Sequence, residues 1–259
     1  MKYRTFLFAA ILGIMNACGG GGEQSARSDS TTVSPSGQPG KDISSPASKA
    51  AGAYQGTLPC ADCPGIDYQL SLYEDQRYQE LMVYRGRNDG RAVIDTGMWN
   101  MKNDSIIELA GQQPHQFLFE DGKLYHLNRE GQRITGALAD NYILRPVGGE
   151  GNYRQLREKA AAGVDFHATG NEPGWVLELD RKTILFQDMN GDSLRVPTPR
   201  PHPNTDTLRV YTPKHEKAEF IITIRQRACT DDMSGYMRPY TVEVQLKDKN
   251  YRGCGQYLR

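Results

Sequence analysis

Between residues 53 and 146 the chain alternates apolar and polar side chains with a period of two. In GIDYQLSLY, Ile66, Tyr68, Leu70 and Leu72 alternate with Asp67, Gln69 and Ser71. Successive side chains on a strand point to opposite faces, so this pattern builds a ribbon with one apolar face. YQELMVYRG, RAVIDTGMWNM, DSIIEL, HQFLFEDGKLYHLN, QRITGAL and NYILRP follow as further short strands, and Asp121-Gly122 is a two-residue hairpin signal. No helical pattern interrupts them. About eight meandering strands predict a small antiparallel barrel, because closure removes the exposed edges they would otherwise leave.

Residues 152–163, NYRQLREKAAAG, differ. Asn152 is a good helix cap, the interior is rich in helix formers, and Gly163 is a good stop. Strands then return. In KAEFIITIRQR, Ala218, Phe220, Ile222 and Ile224 share a face; in YTVEVQLKD, Tyr240, Val242, Val244 and Leu246 do. VPTPRPHPNTDT, with prolines at 197, 199, 201 and 203, reads as an exposed loop. The predicted fold class is therefore all-β: two small antiparallel β domains, over residues 52–149 and 164–259, with one short helix between them.

The N-terminus addresses the compartment. Lys2 and Arg4 precede the short apolar run FLFAAILGI, which falls well below the roughly 20 residues needed to cross a bilayer. A basic start, a short apolar run and a small-residue cleavage site read as a signal peptide over residues 1–17. Met15-Asn16-Ala17-Cys18 resembles the lipobox of bacterial lipoproteins. That resemblance implies an acylated (palmitate-bearing) Cys18 as the mature N-terminus and a membrane as partner through the lipid anchor. Gly19 after it favours outer-membrane sorting, with the membrane face left open. Residues 18–51 are rich in Gly, Ser and Pro and lack aromatics, so they read as a disordered tether. Formal net charge is zero, which leaves no nucleic-acid footprint.

Of the five cysteines, Cys18 is the lipidation site and four remain. In an exported protein an even remainder favours disulfides. Cys229 and Cys254 read as a structural bridge, stabilising by about 3 kcal/mol on the chain-entropy model. Cys60 and Cys63, in LPCADCPG, leave three readings open: a metal clamp, a redox switch or a structural staple. Two thiolates suit Cu(I), which is soft and is selected by thiolate and thioether ligands. Met82, Met98, Met101, His115 and His126 are candidate additional ligands. Met98 and Met101 point to opposite faces of a strand, so core packing is the better reading of GMWNM. Zinc would want four ligands where two are evident. A strand follows the pair instead of a helix, which disfavours thioredoxin chemistry.

The segments GAYQGTLPCADCPGIDYQLSLYED (52–75), DTGMWNMKNDSIIEL (95–109) and KLYHLNREGQRITGALADNYILRP (123–146) together resemble the N-terminal domain of the NlpE family of envelope lipoproteins. The resemblance implies a lipocalin-like barrel and a link to copper resistance and envelope stress. It places the family's C-x-x-C on Cys60 and Cys63, with Cu(I) as its metal, and implies envelope stress-signalling or lipoprotein-sorting partners. The alternative is a structural, small-ligand-binding or partner-binding lipoprotein whose cysteines are only staples. The second domain resembles an uncharacterised family of bacterial envelope domains through FHATGNEPGWVLEL, ACTDDMSGYMRPYTVEV and GCG, which implies no activity. No G-x-S-x-G or H-E-x-x-H pattern occurs, and an enzyme is not expected. GNEPGW reads as a turn into a strand. Glu172 and Trp175 are candidate pocket residues, with a core position the alternative for Trp175. Asp231 and Asp232 read as part of a solvated loop, with a turn cap or a cation site as alternatives.

Overall fold

The computed structural model describes residues 46–111, 115–148, 152–191, 193–214 and 219–258. The signal segment 1–17, Cys18 and the tether as far as residue 45 lie outside the described residues, as does Ala218. The tether read from composition runs to residue 51, but Pro46–Ala50 forms a helical turn, α1. The reason is local packing: Ala50 is fully buried, Ala47 packs on the barrel core, and the Tyr54 hydroxyl donates to the Ala50 carbonyl at 3.0 Å.

The first domain is an eight-stranded closed barrel: β1 (Gly52–Leu58), β2 (Ile66–Leu72), β3 (Arg77–Tyr84), β4 (Val93–Lys102), β5 (Ile106–Ala110), β6 (His115–Glu120), β7 (Lys123–His126) and β8 (Ile143–Val147). Each strand pairs antiparallel with the next, and β1 also pairs with β8, Tyr54 lying opposite Pro146. Inward positions are filled by Leu70, Leu72, Ile107, Leu109, Phe117, Leu124 and Leu144. Asp121 and Gly122, at φ 52° and 69°, make the tight turn from β6 to β7, in the left-handed conformation that two-residue hairpins favour. QRITGAL, expected as a strand, contributes only an isolated bridge from Arg133 to Leu127. Most of its side chains are exposed and Gly136 has φ 99°, so no apolar face holds it in the sheet.

α2 (Asn152–Ala161) leads to the second domain. Its strands are β9 (Phe166–Asn171), β10 (Gly174–Leu179), β11 (Thr183–Asp188), β12 (Ser193–Pro197), β13 (Leu208–Tyr211), β14 (Phe220–Arg225), β15 (Cys229–Thr230), β16 (Met237–Arg238), β17 (Tyr240–Leu246) and β18 (Lys249–Tyr257). Eight of them form one sheet in the order β12-β11-β10-β9-β18-β17-β14-β13, and β15 and β16 form a separate hairpin. One face of all eight strands converges on a single cluster that includes Phe166, Trp175, Phe186, Phe220, Val242 and Tyr251, so the sheet curls around its own core. The indole of Trp175 crosses β9 and β18 at glycines: a Cβ on Gly170 would sit 2.2 Å from the indole nitrogen, and one on Gly253 2.0 Å from the Thr169 carbonyl oxygen. Trp175 Nε1 donates to the Arg252 carbonyl at 3.2 Å.

The β15–β16 hairpin is fastened twice. Cys229 is bonded to Cys254 of β18, with Cα atoms 5.4 Å apart. Its other side meets the outer face of the barrel, where Gln69 donates to the Met237 carbonyl at 3.0 Å and accepts from the Met237 amide at 2.7 Å. Gln55 donates to the Gly235 carbonyl at 2.8 Å, and Ser71 and Tyr236 share a hydroxyl hydrogen bond of 3.1 Å. Leu81, Ala92 and Met237 form a buried apolar cluster beside them.

Two predictions follow from this packing. Replacing Cys229 and Cys254 together by serine is expected to lower stability by about 3 kcal/mol, measured by urea unfolding of the oxidised protein; an unchanged midpoint would contradict it. His167, buried on β9 with Nδ1 unpartnered among the described residues, has its pKa pushed down to about 3 by burial, then by the charges of Arg238 and Lys159. The unfolded imidazole takes a proton near pH 6.5, so the unfolded state binds more protons between these values and stability falls with pH through that window. Thermal melts at about pH 7 and about pH 4 should show the parent losing more stability than His167→Gln; equal losses would refute the assignment.

A disulfide hairpin at the barrel mouth

The seven residues 59–65 join β1 to β2 beyond the pair Leu58–Ile66. Proline at 59 and 64 limits the backbone at either side of the two cysteines, and Gly65, with φ 151°, returns the chain to β2 beneath Thr57. Cys60 and Cys63 are bonded, with Cα atoms 5.3 Å apart. Both are partly exposed, and the intervening Asp62 is exposed. Asp62 Oδ1 lies 3.5 Å from Cys60 Sγ, a contact and not a hydrogen bond, because a bonded sulfur carries no proton. Arg87 pairs with the Asp62 carboxylate at 3.0 Å and donates to its carbonyl at 2.6 Å. Arg85 pairs with Asp67 at 2.6 Å and donates to Thr57 Oγ1 at 3.1 Å. The loop is thus steadied from the turn after β3, by the Arg87 side chain on Asp62 and by the Arg85 amide, which donates to the Gly65 carbonyl at 3.0 Å while its side chain ties β1 to β2. Among the described residues, Cys60, Asp62 and Cys63 form the group with metal-ligand spacing, their donor atoms within 4.8 Å of one another.

α1 covers the opposite end of the barrel, and there Trp99 Nε1 donates to the Tyr73 carbonyl at 3.0 Å. At the cysteine end the interior turns polar. Glu80, almost wholly buried, accepts a hydrogen bond from the Tyr68 hydroxyl. Tyr78 donates to Asp95 at 2.9 Å. Burial pushes Glu80 above the usual carboxylate range, opposed by the Tyr68 hydrogen bond and the charge of His115. Burial and the Glu80 carboxylate push the Tyr68 hydroxyl well up. His115 and His126 stack edge-on with ring centres 5.4 Å apart, and burial holds His126 below the ordinary imidazole value.

The candidate extra ligands separate in space. Met82 is opposite Tyr68 in the β2–β3 register and packs on the core, Met101 packs inward, and Met98 points outward and is 49 % exposed. Core packing thus describes Trp99 and Met101 of GMWNM but not Met98. Glu172 and Trp175 also separate: Trp175 is buried and borders a cavity on the β9–β11 side, while Glu172 lines a groove with Thr223 and Glu243. Each thus lines a cavity, but on different surfaces, with Pro173 and Gly174 between them in the chain. Asp231 caps its own turn, Oδ1 accepting from the amides of Met233 and Ser234 at 3.1 and 2.8 Å. Sequence reading passed over Tyr68, Glu80 and Asp95 as chemistry. A visible signal existed for Glu80: it occupies an inward position between Tyr78 and Met82.

A closed up-and-down barrel of eight short strands, with a disulfide hairpin at an end lined by tyrosines and carboxylates, defines a small lipocalin-like module. The family model described as the NlpE N-terminal domain matches residues 54–137, which span most of the barrel and about a third of the chain. The 17 kDa lipoprotein of Treponema pallidum (strain Nichols) is 33% identical over 60 residues, which cover 23% of this chain and 38% of that protein's own length. A crystallised Shewanella oneidensis protein, provisionally described as a lipoprotein, is 34% identical over 42% of this chain and 98% of its own, with a TM-score of 0.37. The Cpx pathway activator NlpE from Escherichia coli is 16% identical over 80% of this chain and 94% of its own, with a TM-score of 0.31.

Because Glu80 favours the protonated form when folded, the native state binds more protons than the unfolded one above about pH 4.5, and stability falls as pH rises through its raised pKa. Glu80→Gln keeps an acceptor for Tyr68 and removes the buried charge. It is expected to raise stability by about 1 kcal/mol at neutral pH, with the gain fading by about pH 4. Chemical denaturation at both pH values tests this; a gain of the same size at both would refute it.

Proposed function

We propose that the protein is an outer-membrane-anchored envelope lipoprotein of the NlpE type, lipidated at Cys18, whose Cys60–Cys63 hairpin responds to copper or to envelope redox stress. The observation that carries this reading is the position of the disulfide. It lies partly exposed at the mouth of an NlpE-family barrel, on a loop that contributes no residue to the barrel core. A cross-link spanning so few residues constrains the unfolded chain by about 2 kcal/mol in the chain-entropy model, less than the longer bridge in the second domain. Its exposure leaves it open to reductants. The bonded pair cannot ligate Cu(I). Reduction would free two thiolates beside Asp62, a soft pair that suits Cu(I), with the carboxylate a poor match. The pair therefore combines both roles: oxidation state governs whether metal can bind. Envelope stress-signalling or lipoprotein-sorting proteins are the corresponding partners.

A second reading is favoured by the two arginines that brace the loop: the disulfide is then a staple that shapes the barrel mouth. Anaerobic titration of the full chain with Cu(I) against a competing chelator separates the two. The reduced protein is expected to take up one Cu(I) per chain, and the oxidised protein and Cys60→Ser/Cys63→Ser none. Equal uptake by the double variant would remove the copper role.

A further inference from the structure

GNEPGW and TDDMSGYMRP, far apart in sequence, meet in the second domain around a cavity of about 510 Å³. β9, β10 and the end of β11 supply one wall and the β15–β16 hairpin the other. The volume is in the range of small-molecule sites. Trp175 forms an apolar wall, and Met189 and Met233, 87 % and 83 % exposed, stand at the rim. Two large apolar side chains held in water at the edge of a concave surface are ready to cover an apolar ligand.

The polar element is Arg238, which lines the cavity and is 5 % exposed. Its hydrogen bonds among the described residues are both made by Nη1, to Thr169 Oγ1 at 3.1 Å and the Cys254 carbonyl at 3.3 Å. Nε is buried without a partner, and no described carboxylate forms an ion pair with the guanidinium. The two carboxylates that border the cavity are engaged elsewhere. Asp231 is held by its own turn and by Asn171 at 3.5 Å. Asp188 accepts from the Tyr251 hydroxyl at 2.7 Å and the Asn190 amide at 3.0 Å. A buried cation without an ion-pair partner is costly unless something pairs with it, and the Asp231 charge acts on Arg238 only through space, opposing part of the burial penalty.

We infer that this cavity binds a small organic monocarboxylate with an apolar tail, its carboxylate on Arg238 and its tail between Trp175 and the two rim methionines. A carboxylate matches the planar guanidinium fork. Asp188 and Asp231 weigh against a doubly charged phosphate by like-charge repulsion. This site goes beyond the barrel reading, and its test is independent of the cysteine hairpin.

The experiment is isothermal titration of the full chain with benzoate, 3-phenylpropionate, indole-3-acetate and N-acetyl-methionine, each beside its primary amide. At least one acid is expected to bind, with its amide and the Arg238→Met variant weaker by about tenfold or more. Met233→Glu, at an exposed rim position that does not touch the core, is expected to weaken the same acid severalfold, and Met233→Gln much less. It keeps the test valid if Arg238→Met does not fold. No binding by any of the four acids, amides that bind as well as acids, or unchanged affinity in Met233→Glu would overturn the assignment.

Discussion

β1 is hydrogen-bonded along both edges, to β2 on one side and β8 on the other. That double pairing closes the sheet, and the arrangement of the first domain depends on it. Closure leaves no strand edge to template aggregation and forces every second residue into a shared interior. Leucines and aromatic residues fill most of that interior, and α1 covers one end. At the other end the inward positions carry Tyr68, Glu80 and Asp95, tolerated because tyrosine hydroxyls satisfy the carboxylates. The cysteine hairpin is held at that polar end by its register on β1 and β2.

β2 and β3 are buried on both faces, and this joins the two domains. Tyr68, Leu70 and Leu72 face the barrel core, while Gln69 and Ser71 face the β15–β16 hairpin. Gln69 meets both backbone groups of Met237, as a neighbouring strand would. The same hairpin is bonded to β18 through Cys229–Cys254 and forms a wall of the cavity at Arg238. One short hairpin thus serves as interface, disulfide anchor and cavity wall, which explains why a segment with only two residues in each strand is so heavily fastened.

Legibility followed the range of the interactions. Period-two alternation identified β2, β14 and β17 because burial of one face acts on each strand alone. The Asp121-Gly122 turn was readable because its backbone conformation is a property of two residues. QRITGAL was misread because its alternation has no partner face to bury against. Glu172 and Trp175, close in sequence, line different cavities, a separation that only the fold shows. Arg238 went unnoticed because its significance is burial beside a cavity with no ion-pair partner among the described residues, which only packing reveals. The gathering of GNEPGW and TDDMSGYMRP escaped sequence reading for the same reason.

By itself the sequence determined the all-β class, the approximate number of barrel strands, and the placement of the two cysteines at the entry to a strand. It did so because alternation, turn chemistry and proline are local. The tertiary structure alone decided which end of the barrel carries the hairpin, which inward polar residues lie beneath it, and how β15–β16 couples the domains. Those outcomes rest on strand order, register and the contact of surfaces distant in the chain, and no local pattern encodes them.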